Sequence, residues 1–310
     1  MMILKTVLAG LLALSGMMTA CAQGQSEKSE EPAAVRQWLD VDYAGDQLEG
    51  HKLDIYVPQD GVERHKVIVL IYGSAWFANN AKQAAYGAMG KTLVDSGFAV
   101  VSINHRASVE ARFPAQINDV KAAIRFIRAK ADDYGLDTSF VGITGFSSGG
   151  HLSSLAAMTN GVKQYTVGGT TMDIEGTVGN HLTQSSRVDA LVDWFGPLDM
   201  SRMEGCTGYK GADSPEAVLL GGAPAERPDA VALMNPMTYV DDADPMALVI
   251  HGDADSVVPY CQSVFFSEVL KAKGRLADFI TVPNGEHGPV TFNEDTFRRM
   301  CDFFLNESKK

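Results

Sequence analysis

Several stretches of this chain are apolar at nearly every position, with almost no alternation. The clearest are residues 66–72, 98–104, 190–194 and 247–251. A strand with one wet face alternates apolar and polar side chains. A strand apolar throughout must be covered on both faces, as in a parallel sheet sandwiched by helices. Further strand candidates are 52–57, 140–144 and 278–282. Helical patterns separate them. Pro114 opens one that carries Ile117, Val120, Ile124 and Ile127 on a single face, and another covers 263–273. This rhythm predicts an α/β fold: a mostly parallel, doubly wound sheet with helices on both faces. At 310 residues and 45% hydrophobic, the chain can bury the core of one large domain, expected over 38–310.

Two stretches interrupt the rhythm. Residues 160–187 are rich in Gly and Thr, and 200–240 hold Gly, Pro and short helical pieces. Connections this long inside a compact domain are usually functional loops or lids. The N-terminus reads as an export signal over 1–20: Lys5 is basic, 7–18 is apolar, and small residues follow at Thr19 and Ala20. Met18-Thr19-Ala20-Cys21 resembles a bacterial lipobox, which implies cleavage before Cys21 and a lipid on that residue. Ala20-Cys21-Ala22 also fits an A-x-A site for plain secretion. Polar residues then predict a flexible tether over 21–37. The expectation is an exported, periplasmic or cell-surface lipoprotein, with free secretion as the alternative. A formal charge of −12 argues against nucleic acid and anionic lipid surfaces as partners. Membrane contact is therefore expected only through the N-terminal lipid anchor.

Gly145-Phe146-Ser147-Ser148-Gly149 follows a β-type run and precedes the helix-compatible run 151–158. In that setting Gly-x-Ser-x-Gly holds a serine nucleophile on a sharp strand-to-helix turn. A serine hydroxyl needs an imidazole to take its proton, and the imidazole needs a carboxylate to fix its tautomer. The order Ser, acid, His along the chain is the order such folds use. In His251-Gly252-Asp253-Ala254-Asp255-Ser256-Val257-Val258-Pro259 both Asp253 and Asp255 are candidate acids. The spacing H-G-x-x-D-x-x-V-P favours Asp255. Asp253 is alternatively an ordinary turn residue bonding its own backbone. His287, in the loop 283–288 between the last strand and the last helix, is the candidate base. His51 and His65 read as surface residues, and His105, His151, His181 and His251 precede the acid. His151 lies four residues after Ser147, where a packing or capping role is expected.

The charge that builds on a substrate oxygen needs backbone donors. The N–H of Ser148 is one candidate. Ser74 or Ala75, in the loop Tyr72-Gly73-Ser74-Ala75-Trp76, would supply the other. Of the cysteines beyond Cys21, Cys301 falls in the apolar pattern of the last helix and reads as buried and inert. Cys206 and Cys261 are candidates for a disulfide, with two unpaired thiols as the alternative. No Cys/His spacing points to a metal site.

Several motifs together resemble the α/β-hydrolases of the bacterial acetyl xylan/feruloyl esterase type, relatives of the hormone-sensitive-lipase-like esterases. They are Phe113-Pro114-Ala115-Gln116 through Ala123, Gly149-Gly150-His151-Leu152 after the serine, Asp193-Trp194-Phe195-Gly196-Pro197, Ser214-Pro215-Glu216 with Gly221-Gly222, Asn235-Pro236 and His251 to Asp255. The similarity runs over about 53–304. It implies hydrolysis of carboxylic esters without metal or organic cofactor, with Ser147, Asp255 and His287 as nucleophile, acid and base. The implied substrate is an acylated carbohydrate or other small ester, carrying acetyl or feruloyl groups. One departure stands out: relatives carry His-Gly-Gly-Gly-Trp where this chain has Tyr72-Gly73-Ser74-Ala75-Trp76. The added side chains would narrow the acyl site and favour small acyl groups such as acetyl. A peptidase or amidase of the same superfamily, or a non-catalytic binding module on the same fold, are the competing readings.

Overall fold

The computed structural model describes residues 34–310. The expected signal peptide, Cys21 and most of the expected tether lie outside the described residues. The tether's last four residues do not. Val35–Asp42 form a strand, β1, so the folded region begins before residue 38. β1 carries no apolar run and is half exposed. It becomes a strand only by pairing antiparallel with the next one, across a bulge between Trp38 and Val41.

The remaining strands of the main sheet follow the apolar runs. They are β2 (Lys52–Pro58), β3 (His65–Ile71), β4 (Ala99–Ile103) and β5 (Leu136–Phe146). A short exposed hairpin, β6 (Gln164–Val167) and β7 (Thr170–Asp173), occupies the expected insertion at 160–187. β8 (Ala190–Trp194), β9 (Met246–Gly252) and β10 (Leu276–Val282) complete the sheet. Its spatial order is β1-β2-β4-β3-β5-β8-β9-β10. β1 and β2 are antiparallel to their neighbours and every other pair is parallel.

Between β3 and β4 run α1 (Lys82–Ala85) and α2 (Lys91–Asp95), joined by a π-helical turn. α3 (Ala115–Ala129) and α4 (Ala131–Tyr134) precede β5, and α5 (Ser148–Met158) follows it. α6 (Pro215–Leu220) and α7 (Pro228–Met234) lie in the second expected insertion. α8 (Cys261–Ala272) joins β9 to β10, and α9 (Glu294–Glu307) ends the fold.

The continuous apolar runs are explained by two cores. Val67, Val69 and Ile71 of β3 face one cluster, with Ile117 and Ile124 of α3, Leu152 and Leu155 of α5, and Phe266 and Leu270 of α8. Ile68 and Leu70, one residue out of phase, face the other, with Leu93 and Val94 of α2 and Met300 and Phe304 of α9. Each such side chain contributes about 1.5–3 kcal/mol when fully buried. Parallel strands also bring all their carboxyl ends to one edge, and there the loops after β3, β5, β9 and β10 meet. Among the described residues, no helix is long and apolar enough to cross a membrane.

Candidate active site

Ser147 sits between β5 and α5 with φ 55° and ψ −127°, a conformation that side chains rarely adopt. The surrounding glycines make the turn possible. A Cβ at Gly149 would lie 2.3 Å from the Ile71 carbonyl oxygen, and one at Gly145 would lie 2.4 Å from that of Gly149. Both contacts would be with backbone atoms, which cannot swing away as a side chain can. The Ser147 N–H donates to the Trp194 carbonyl (3.0 Å), which ties the turn to β8.

The Ser147 hydroxyl lies 3.0 Å from Nε2 of His287, placed to donate to it. Nδ1 of His287 donates to Oδ2 of Asp255 (2.7 Å). The serine and histidine are 140 residues apart in sequence. The Asp255 side chain is fully buried. Its Oδ1 accepts the N–H groups of Val257 (2.8 Å) and Val258 (2.9 Å), and Nε2 of His251 lies 3.3 Å from Oδ2. Burial alone would raise its pKa. Hydrogen bonds from His251, His287 and Val258 overcome that and hold the carboxyl well below the usual range. Asp253, the other candidate acid, is exposed and accepts the Asn284 N–H (2.6 Å). It orders the His287 loop and takes no part in the chain of side-chain bonds.

The candidate oxyanion donors separate. The Ser74 N–H points at Oγ of Ser148 (2.9 Å) and is already engaged, so the expectation that Ser74 is a free donor is corrected. Among the described residues, the N–H groups of Ser148 and Ala75 have no partner. Ala75 and Trp76 hold φ of 51° and 61°. The loop thus keeps a left-handed backbone without glycine, at about 1–2 kcal/mol per residue.

Other histidines fall elsewhere. His151 is buried, bonds the Met234 carbonyl through Nε2 (2.9 Å) and meets the Trp76 ring edge-on. Burial pushes its imidazole down to about 4, so it is neutral at neutral pH. His51 and His65, expected at the surface, are buried instead. His51 bridges Asp46 and Asp119, a pairing that local sequence does not reveal. Phe195 was not singled out for the site. It takes φ 42°, and its ring centroid lies 4.6 Å from that of His287, where it backs the imidazole. Its place in Trp194-Phe195-Gly196-Pro197, just after a strand, was the available signal.

Cys206 and Cys261 form a disulfide, which fastens the segment after β8 to the start of α8. Gln262 reinforces it: Oε1 accepts the N–H groups of Leu198 (2.9 Å) and Asp199 (2.6 Å). Cys301 is buried and unpaired. A cavity of about 930 Å³ lined by Lys66, Phe140, Met246 and Arg275 opens at the amino ends of the strands, on the edge opposite Ser147. It holds none of the groups described above. Among the described residues, no cluster of three or more His, Cys, Asp or Glu is arranged to hold a metal ion.

Residues 53–270 match the family described as BD-FAE. The chain belongs to that family. It is 30% identical over 225 residues to esterase LipQ of Mycobacterium tuberculosis, across 72% of this chain and 50% of that protein. It thus spans about half the length of that relative. Two solved structures are nearer. A bifunctional GH43-CE protein of Bacteroides eggerthii is 66% identical with a TM-score of 0.87, over 88% of this chain and 35% of the other. A truncated carbohydrate esterase from gut microbiota is 54% identical with a TM-score of 0.88, over 91% and 99%. The BD-FAE chain described here has the α/β-hydrolase fold, shared with esterases of Lactobacillus and Thermogutta at 20% and 24% identity.

Proposed function

We propose that this BD-FAE protein is a serine carboxylesterase that removes small acyl groups, acetyl above all, from carbohydrate. The observation that carries the reading is the unbroken chain from the Ser147 hydroxyl through His287 to buried Asp255. Ser147 Oγ attacks the ester carbonyl carbon while its proton passes to Nε2 of His287. The oxyanion that forms meets the free N–H groups of Ser148 and Ala75. Collapse breaks the ester C–O bond, and the leaving alcohol takes the proton from His287. Water then attacks the acyl-serine with His287 again as base, releasing the acid and restoring Ser147.

Carbohydrate as the substrate is supported by similarity to the GH43-CE protein and the gut carbohydrate esterase. The small acyl group is supported by Ser74 and Ala75 standing where relatives carry glycine. Export and lipid attachment at Cys21 belong to the same proposal. Labelled palmitate should enter the wild type and not Cys21→Ser. The central test is turnover of p-nitrophenyl acetate, butyrate and feruloyl esters, beside an anilide analogue and acetylated xylan. Acetyl should be released fastest. Faster turnover of the feruloyl ester, or of the anilide, would overturn the acetyl preference or the esterase reading respectively.

A further inference from the structure

Asp255 is held by two imidazoles, and only one of them belongs to the relay just described. His251, at the end of β9, is fully buried. Its Nε2 lies 3.1 Å from the Val258 carbonyl oxygen and 3.3 Å from Oδ2 of Asp255. Both neighbours are acceptors only, so Nε2 must carry the hydrogen. On the far side, Nδ1 lies 2.7 Å from the hydroxyl of Ser263, a buried residue of α8. The rings of Tyr260 and Phe195 flank the imidazole at centroid distances of 5.6 and 6.1 Å. Its orientation is therefore fixed from both ends and both sides.

Given the esterase reading above, we infer that His251 is a positioning residue, whose Nε2–H shares the Oδ2 charge of Asp255 and so sets how strongly that carboxylate holds the His287 imidazolium. His287 donates to Oδ2, while the Nε2–H of His251 donates to the Val258 carbonyl and stands 3.3 Å from that same Oδ2. The positive end of that N–H offsets charge that would otherwise be directed at Nδ1 of His287. Without it, Asp255 stabilises the protonated His287 more strongly and the base gives up its proton less readily. The carboxylate is also freer to turn, since Val257 and Val258 then hold only its other oxygen. Ser263 extends this control to α8, the helix that the disulfide fastens to the segment after β8.

Other ionisable groups pack on these loops. Asp253 is bound to the Asn284 N–H, and Glu286 adjoins His287. The Tyr260 hydroxyl bonds Thr281, and the Asp199–Arg202 pair sits against α8. None of them contacts Oδ2 of Asp255. Replacing His251 also takes a partner from the Val258 carbonyl and the Ser263 hydroxyl, which is why the comparison uses His251→Gln and Ser263→Ala beside His251→Met.

The test compares His251→Met, which lacks the donor, with His251→Gln, whose side-chain N–H reaches the place of Nε2–H. The His287 titration is followed by NMR in the full chain, alongside kcat and KM for p-nitrophenyl acetate across pH. His251→Met should move the His287 titration and the acid limb of kcat/KM upward by about half to one pH unit. Its kcat should fall about tenfold or more, as expected of a displaced catalytic group. KM should stay within about twofold, because substrate binding is untouched. His251→Gln should restore the wild-type titration. If His251→Met titrates as the wild type does, the ring only fills space and the inference is wrong. Ser263→Ala repeats the test with a smaller upward shift should His251→Met not fold, and an unchanged titration there overturns the inference equally. The NMR titration needs no turnover, so an inactive wild type would sink the esterase reading and leave this measurement decisive.

Discussion

The two halves of the site are held in place by different means. On the side of the proposed nucleophile, Ser147 is set by backbone: a strained φ, glycines 145 and 149 where an added Cβ would strike backbone oxygens, and one N–H to the Trp194 carbonyl. On the side of the proposed acid and base, the Val257 and Val258 N–H groups hold one oxygen of Asp255, and side chains surround the rest: His251 beside the other oxygen, Ser263 behind His251, and Phe195 against His287. The first arrangement is local and rigid, and it is written into five consecutive residues. The second is assembled from separate segments: the loop after β8 with Phe195, the stretch from His251 to Ser263, and the His287 loop. A nucleophile must sit at one point in a tight turn. An acid and its base need only a hydrogen bond between them, which many supporting frames can supply.

The largest effect expected from breaking either half is chemical. Ser147→Ala should lower kcat by about 10⁶, by analogy with another triad enzyme, and should abolish labelling by a fluorophosphonate. Turnover near the wild-type rate would end the covalent mechanism. Asp255→Asn should lower kcat by about 10⁴, because an amide presents the wrong partner to Nδ1 of His287. Asp253→Asn serves as its control. A loss in that control as large as in Asp255→Asn would reverse the assignment of the acid.

Stability sharpens the same contrast. Replacing both Cys206 and Cys261 by Ser should reduce the unfolding free energy by about 2–4 kcal/mol, read from denaturant midpoints. Fluorophosphonate labelling of the folded protein should persist, since the serine turn does not depend on the bridge. Loss of labelling in a folded variant would mean that the two halves are coupled.

The smallest effect concerns Asp193, buried under the start of α5 beside Gly150 and Gly196. Burial pushes its carboxyl up to about 7, against a weak opposing pull from the Gly196 N–H and the Ser154 hydroxyl. Neither of those groups makes a regular hydrogen bond with the carboxyl. The folded chain thus keeps a proton that the unfolded chain releases near 3.8. Stability falls as pH rises from about 4 to about 7 and is level above that. Asp193→Asn should remove this dependence and raise stability above pH 7 by on the order of 1–2 kcal/mol, since the amide still lacks good partners. Thermal melts at pH 4 and pH 8 would check it, and an equal gain at both would refute the titration argument.

Much of the fold could be read from local patterns. The apolar runs at 66–72, 190–194 and 247–251 became β3, β8 and β9 within a residue or two. The face carrying Ile117, Val120, Ile124 and Ile127 became the buried side of α3. β1 was missed because its residues are half exposed and its strand character comes from pairing with β2. The hairpin β6–β7 was missed for a similar reason: four-residue strands, largely exposed, leave no periodic signal. His51 was misplaced at the surface because burying an imidazole required Asp46 and Asp119, the latter on α3.

Sequence alone determined which residue types could carry the chemistry and the order in which strands and helices alternate, because periodicity and turn preferences act between near neighbours. It also narrowed the candidate nucleophile to one position, since a strand, a Gly-x-Ser-x-Gly turn and a helix occur together once. Tertiary structure alone decided which backbone N–H groups stay free, with Ser148 Oγ taking that of Ser74 and leaving that of Ala75. It likewise decided that Asp255 rather than Asp253 meets His287, and that His251 stands behind it. Those outcomes rest on hydrogen bonds a few ångströms long between groups far apart in the chain, and such distances exist only once the sheet has brought its carboxyl ends together.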